Sequence, residues 1–336
     1  MGAMPGKLLA GFLLAALLPA ETHRVVATTY YRTFSAAHAV LARVKPGDIV
    51  ITKTIDAAGF DETGAKRHPE SGNPLTGPFY VEGAEGGDAL RIHFRRVAMN
   101  RNWGWTNYRL GWWSVTGDYM ERAYPNRYKA DVALQGRDNV VPWDLDLNKK
   151  TVRLREPSSQ RVKFEFPAQP MLGCVGLAPT GAFAPTSSPS GSYGGNLDYN
   201  VIGEGATVIL PVSHPGGLLF LGDGHALQGD GEPTGTGVET SMDVEFSVEV
   251  VKKARVSGPR VETAEWIISI GSQPEFASSL DRGLQMATTD MVRWLTDEYK
   301  LEPWAAHLLI GYQGRYDVVT VAGSMALKIP KRHLPR

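Results

Sequence analysis

Between Met242 and Val250 the chain alternates strictly. Met242, Val244, Phe246, Val248 and Val250 are apolar; Asp243, Glu245, Ser247 and Glu249 between them are polar. A period of two sends the two sets to opposite faces, which describes a half-buried strand and excludes a helix. Leu90, Ile92 and Phe94 alternate in the same way with Arg91, His93 and Arg95. Further strands are expected over Ile49 to Ile55, with Asp56 at the far end, over Trp266 to Ile270 and over Val318 to Ala322. Thr207 to Val212 and Leu218 to Leu221 read as a strand pair joined by a turn through His214-Pro215-Gly216-Gly217. The 37 glycines and 22 prolines suit short strands and many turns. Helix is expected only towards the C-terminus. Leu280, Leu284, Ala287, Met291 and Leu295 recur at spacings of three and four, which predicts an amphipathic helix of about five turns ending near Lys300. A short second helix opens with Pro303 and turns Ala306, Leu309 and Ile310 inward.

At 336 residues, with 43% hydrophobic and 21% charged residues, the chain can bury a large core in one or two domains. Formal net charge is zero and no Lys/Arg run is present, so a nucleic-acid partner is excluded. Residues 1–20 read as a secretory signal. Lys7 gives the positive start, Leu8 to Leu18 the apolar stretch, and Pro19-Ala20 a small-residue cleavage site before Glu21. The expectation is export to a periplasm or the cell exterior, with no membrane partner once the signal is removed; a retained anchor is the alternative. The Ser/Gly/Pro-rich run Pro185 to Gly195 marks a division between β-rich regions 21–185 and 186–336. The lone cysteine, Cys174, excludes an intrachain disulfide, and its apolar neighbours make it a small buried hydrophobe rather than a nucleophile.

Chemistry concentrates in Gly222-Asp223-Gly224-His225-Ala226-Leu227-Gln228-Gly229-Asp230-Gly231-Glu232. Glycines let this backbone fold tightly, so that the His and the acids can converge. Converging carboxylates repel unless a cation or a shared proton lies between them. A metal site or hydrolytic centre explains the composition; the competing explanation is a solvated turn whose aspartates cap the backbone.

Several segments together resemble the acetamidase/formamidase family. They are Pro46-Gly47-Asp48 with Thr54-Ile55-Asp56-Ala57, and Asn73-Pro74-Leu75-Thr76-Gly77-Pro78 running on to Val81-Glu82-Gly83-Ala84. They continue with Gly176-Leu177-Ala178-Pro179, Gly194-Gly195-Asn196-Leu197-Asp198, and the Gly222 to Glu232 stretch. The resemblance implies hydrolysis of a small linear amide, formamide-like or acetamide-like, to a carboxylate and ammonia. It implies a mainly β (α+β) fold, a β-sandwich core with a smaller C-terminal α+β part. It also implies a divalent metal ion, with Zn²⁺ as the expected species, and a homo-oligomer. The export signal and the aromatic segment running from Trp103 and Trp105 through Tyr108, Trp112, Trp113 and Tyr119 to Tyr124 depart from the plainest members. That segment is either a lid over the site or edge packing.

On this reading His225 and Asp223 are metal ligands, joined by His38 and Asp56 from the N-terminal half and by Asp198. Glu232 is the general acid–base, with Asp230 as its rival. Asn196 and Gln228 complement the C=O and NH₂ of a substrate amide. The bland rivals are a core histidine for His38 and turn caps for Asp56 and Asp198. A function of another class, an exported protein that binds a small ligand or a cation without turnover, fits the same residues.

Overall fold

Phe246 and Phe79 meet edge to face, 5.3 Å between ring centroids, and they belong to different sheets. Their contact lies in the core that two sheets make by packing apolar faces together. The computed structural model describes residues 20–107, 110, 113–119, 140–155, 161, 163–273 and 278–335. Nearly all of the signal segment, and Tyr108, Trp112 and Tyr124, lie outside the described residues.

The larger sheet has nine strands. In spatial order they are Thr22–Arg24, Ile49–Lys53, Met242–Val251, Ala89–Met99, Thr207–Pro211, Arg260–Glu262, Trp266–Gly271, Ser324–Pro330 and Arg315–Thr320. The second sheet has six: Ser190–Gly191, Gly194–Asn196, Met171–Gly176, Leu219–His225, Thr76–Val81 and Ala42–Val44. Both sheets draw strands from either side of residue 185. A smaller sheet of four strands, Trp103–Thr106, Val141–Asp146, Thr151–Leu154 and Glu165–Pro167, extends from one end. The architecture is mainly β with a small helical part, as expected.

The alternating segments pair with each other and bury their apolar sets: Leu90, Ile92 and Phe94 against Met242, Val244, Phe246 and Val248. Each such side chain contributes about 1.5–3 kcal/mol when fully buried. The pairing slips where Phe246 faces Phe94 but Glu245 faces Arg96. Arg95 is the extra residue, so the Arg95-Arg96 doublet is a bulge that restores Val97 to the core face.

One expected hairpin is absent. Thr207–Pro211 and Leu219–His225 lie in different sheets, so the His214-Pro215-Gly216-Gly217 segment crosses the sandwich and does not join neighbours. Three successive left-handed residues, Gly216, Gly217 and Leu218, swing the backbone across. The second strand also continues past Leu221 to His225, carrying Asp223 and His225 into the sheet.

Helix α1 (Leu280–Asp297) is capped by Ser279, whose hydroxyl accepts from the Arg282 amide at 3.2 Å. It packs on strands Trp266–Gly271 and Ser324–Pro330. Ala287, Met291 and Leu295 point inward as expected, but Leu280 and Leu284 are exposed. The buried face runs instead through Gly283, Asp290 and Trp294, because backbone meets backbone at Gly283 and Gly271. Helix α2 (Pro303–Gln313) buries only Ala306, with Leu309 and Ile310 half-buried against the same cluster. No helix among the described residues is long and apolar enough to cross a membrane.

Candidate active site

Four carboxylates and one imidazole converge at the end of the six-stranded sheet. Asp198, Asp223 and His225 offer ligand atoms that all lie within 4.8 Å of one another, and so do His225, Glu232 and Glu239. His225 is shared by both groups. Every member is buried except Glu232, which keeps partial exposure and so marks the opening.

Local structure explains the convergence. Asp223 and His225 are two apart on one strand and so share its face. After His225 the chain runs out to the exposed Gly229 and returns, with Ala226 N–H bonded to Val238 C=O and Val238 N–H to Leu227 C=O, both at 2.8 Å. That return sets Glu239 opposite His225. Val321 N–H holds Gly231 C=O at 2.8 Å, which fixes the backbone beside Glu232. Leu197 and Asp198 both donate their amides to Gly173 C=O.

The backbone turns left-handed at these residues. Asp198, Asp223 and Glu232 have φ of 46°, 54° and 47°, and the adjoining Asn73 has 52°. Asn and Asp tolerate this region, so of the four it is Glu232 whose conformation is unusual for its residue type, as happens where function requires it. Two glycines make room. A Cβ at Gly173 would lie 2.4 Å from Asp198 Oδ1, and one at Gly237 would lie 2.4 Å from the His225 ring.

Amides hold the outward atoms. Asn73 Nδ2 donates to Asp223 Oδ2 at 2.9 Å, Asn196 Nδ2 donates to Asp198 Oδ2, and Gln228 Nε2 donates to Asp198 C=O at 2.6 Å. The inward atoms have nothing: Asp198 Oδ1, His225 Nε2 and Glu239 Oε2 are buried without a hydrogen-bond partner. His225 Nε2 stands 3.1 Å from Glu239 Oε1 and 3.4 Å from Asp223 Oδ1.

The electrostatics follow from burial. Removal from water, then the charge of Asp223, push Asp198 up to about 8. Removal from water also lifts Glu239 to about 8, against the opposing pull of His225. Glu232 is likewise raised, by burial first and by Asp198 next. Burial would lower His225, but Glu239 and Asp223 outweigh it and hold the ring well above its ordinary value. So many acids around one imidazole demand protons or a cation.

His38 and Asp56 are not brought to this cluster. His38 Nε2 bonds Thr33 Oγ1 at 2.7 Å, and its ring stacks on Tyr31, 3.8 Å between centroids; burial lowers its basicity. Asp56 is a buried counter-charge. Arg101 meets it at 2.5 Å, the Trp105 indole donates at 3.1 Å, and the Ala58 and Phe60 amides take its other oxygen. Asp230 is exposed and accepts from Asn200 at 2.7 Å, so of the two acids proposed for proton transfer only Glu232 faces the cluster. Asn196 and Gln228 spend their amides on protein partners, Asn196 accepting from Cys174 Sγ at 2.9 Å. The Cys174 thiol is raised by burial and by Asp223 and Asp198, which leaves it unreactive. Within the aromatic segment, Trp103 lies under Arg101 at 3.6 Å and Trp105 pairs its backbone with Glu239. Trp113 and Tyr119 are exposed.

Glu239 escaped the sequence analysis. It lies between buried Val238 and Thr240 just before the alternating strand.

The sequence model of the Acetamidase/Formamidase family matches residues 182–282, the stretch that carries all five converging residues. A Schizosaccharomyces pombe protein whose name describes it as a formamidase is 23% identical over 214 residues, 53% of this chain and 52% of its own length; the alignment thus spans about half of that relative. The crystal structure of an acetamidase from Yersinia enterocolitica is similar at a TM-score of 0.77, with 27% identity over 96% of both chains. That of an acetamidase from Bacillus halodurans has a TM-score of 0.73 and 27% identity, covering 93% of this chain and 98% of its own. By these matches the chain is similar to acetamidases and formamidases in sequence over residues 182–282 and in fold over nearly its whole length.

Proposed function

We propose that this protein hydrolyses a short linear amide to a carboxylate and ammonia at the Asp198–Asp223–His225–Glu232–Glu239 cluster, with a divalent cation held there. The observation that carries the reading is the set of buried, unpartnered inward atoms: Asp198 Oδ1, His225 Nε2 and Glu239 Oε2. Such atoms are costly to bury alone and are what a cation would satisfy. One imidazole among carboxylates suits Zn²⁺ and also harder ions such as Mn²⁺; Zn²⁺ is the ion to test first. When bound, a divalent ion supplies Lewis acidity that acidifies water and polarises a carbonyl oxygen.

The chain's own groups do the rest. Glu232, at the opening, accepts a proton from the attacking water as its oxygen bonds to the amide carbon. It then passes that proton to the nitrogen as the C–N bond breaks, and ammonia leaves. Burial raises this carboxyl above its ordinary value, which makes it the stronger base that the first half of this transfer requires. Asn73 and Asn196 hold the outer carboxylate oxygens, so that the inner ones stay aimed.

Ammonia release from formamide and acetamide tests the reading. Activity should vanish on treatment with a chelator and return with Zn²⁺ or Mn²⁺. Unchanged release after full removal of divalent ions would defeat it, and tight amide binding without turnover would favour a binding protein.

Export and assembly belong to the same proposal. Lys7 and the apolar run Leu8 to Leu18 support a cleaved signal, which N-terminal sequencing of the protein secreted by its host would test. Helix α2 carries no Asp, Glu, Lys or Arg and exposes Trp304, Leu308 and Tyr312, which supports a homo-oligomer measurable by light scattering.

A further inference from the structure

Gln228 is buried and bridges His225 to Asp198, which lies 30 residues before Gln228 in the sequence. Its Nε2 is 2.6 Å from Asp198 C=O, and its Oε1 is 2.8 Å from His225 Nδ1. The orientation of the amide follows from chemistry. A carbonyl oxygen can only accept, so the NH₂ end must face Asp198. The oxygen end then faces His225, and because that oxygen can only accept, Nδ1 must carry the hydrogen. The neutral ring is left with its lone pair on Nε2, the atom that has no partner and looks into the carboxylates. Gly237 lies against the ring at Cγ and Nδ1, where no side chain fits, so the ring is held on that edge too.

We infer that Gln228 is a positioning residue: it fixes the tautomer of His225 and presents Nε2 to the cation, and it does not bind the substrate amide. The inference rests on the metal reading above. A histidine that ligates a metal through one nitrogen commonly donates from the other to an oxygen acceptor, and loss of that acceptor weakens metal affinity. Here the acceptor is an amide that is oriented in turn by a backbone carbonyl. Metal-site orientation is therefore tied to the Asn196–Asp198 turn. The same bridge explains why a glutamine stands three residues after the histidine. Its side chain reaches back along the strand end, spanning the gap to Asp198 that a shorter asparagine would leave open.

The test uses the full protein, labelled with ¹⁵N in histidine. The wild type should show a slowly exchanging Nδ1–H resonance for His225 both with and without Zn²⁺. Gln228→Leu should lose it and bind Zn²⁺ about 10–100-fold more weakly in competition with a chelator. Gln228→Glu keeps an oxygen acceptor and should keep the resonance. At saturating Zn²⁺ the KM of Gln228→Leu for the amide should be unchanged; a KM raised in proportion to the lost contact would return Gln228 to substrate binding and overturn the inference. It is also overturned if the wild type lacks the protected Nδ1–H, a measurement that needs no variant, or if Gln228→Leu retains both the resonance and wild-type Zn²⁺ affinity. If the wild type binds no divalent ion, the metal reading fails by itself, and the protected Nδ1–H in the metal-free protein, lost in Gln228→Leu, still decides whether Gln228 holds the ring.

Discussion

Two buried charge clusters in this molecule differ in one respect. Beneath helix α1, Arg260 is 1% exposed and every part of its guanidinium is used. Nε and Nη2 fork onto Asp290 at 2.7 and 3.1 Å, Nη1 meets Glu298 at 2.8 Å, and the plane lies over Trp294. Ser257 donates to the same Asp290. At the sandwich end, four carboxylates surround His225, and Asp198 Oδ1, Glu239 Oε2 and His225 Nε2 have no hydrogen-bond partner. The first cluster is electrostatically closed and clamps a helix to a strand. The second is left open towards its centre, with excess negative charge and left-handed backbone. Burial alone does not mark function; an unmet bonding requirement within the burial does.

The sharpest way to break this contrast is to remove proton transfer without touching the fold. Glu232→Gln should lower kcat by about 10²–10⁴-fold while divalent content stays at the wild-type level. Turnover at the wild-type rate would remove Glu232 from the mechanism. Next in size is the closed cluster. Arg260→Ala strands Asp290 without its partner and should cost about 3–5 kcal/mol in urea unfolding. The fraction that remains folded should keep the wild-type kcat; a loss of kcat in folded protein would mean that the two clusters are coupled.

A third comparison uses pH. Asp198 and Glu239 titrate near 8 in the folded metal-free protein, above their ordinary values, and His225 is raised as well. Groups raised on folding stabilise the fold fully below their unfolded values and lose that contribution as pH rises through the folded ones. The melting temperature of metal-free protein should therefore fall between about pH 4 and about pH 8. Saturating Zn²⁺ should flatten the decline, and Asp198→Asn should reduce it in the absence of metal. A metal-free protein equally stable across that window would show that the acids are not held together. The smallest effect is expected at Asp230, which is exposed and lies outside the cluster. Asp230→Asn should change stability by less than about 0.5 kcal/mol and leave kcat unchanged.

The sandwich was legible where local pattern and tertiary role coincide. The alternation at Met242–Val251 and Ala89–Met99 reports a buried face directly, and the two strands pair. The false hairpin arose because neighbouring strands with a Gly-rich turn usually pair, whereas Gly216, Gly217 and Leu218 instead send the chain to the other sheet. Asp198, Asp223, His225 and Glu232 could be singled out because glycines crowd around them in sequence. Asp56 looked equally suitable at a strand end, yet Arg101, 45 residues away, neutralises it. Glu239 joins His225 only through the register of the return from Gly229. No one-dimensional pattern encodes partners of that kind, because they are created by pairing.

A cation at the cluster is what the unpartnered atoms require. Diffraction from crystals grown with Zn²⁺, recorded at the zinc absorption edge, should place an anomalous peak about 2.0–2.2 Å from both His225 Nε2 and Asp198 Oδ1. No peak at the cluster, in crystals whose protein releases ammonia from formamide, would contradict it.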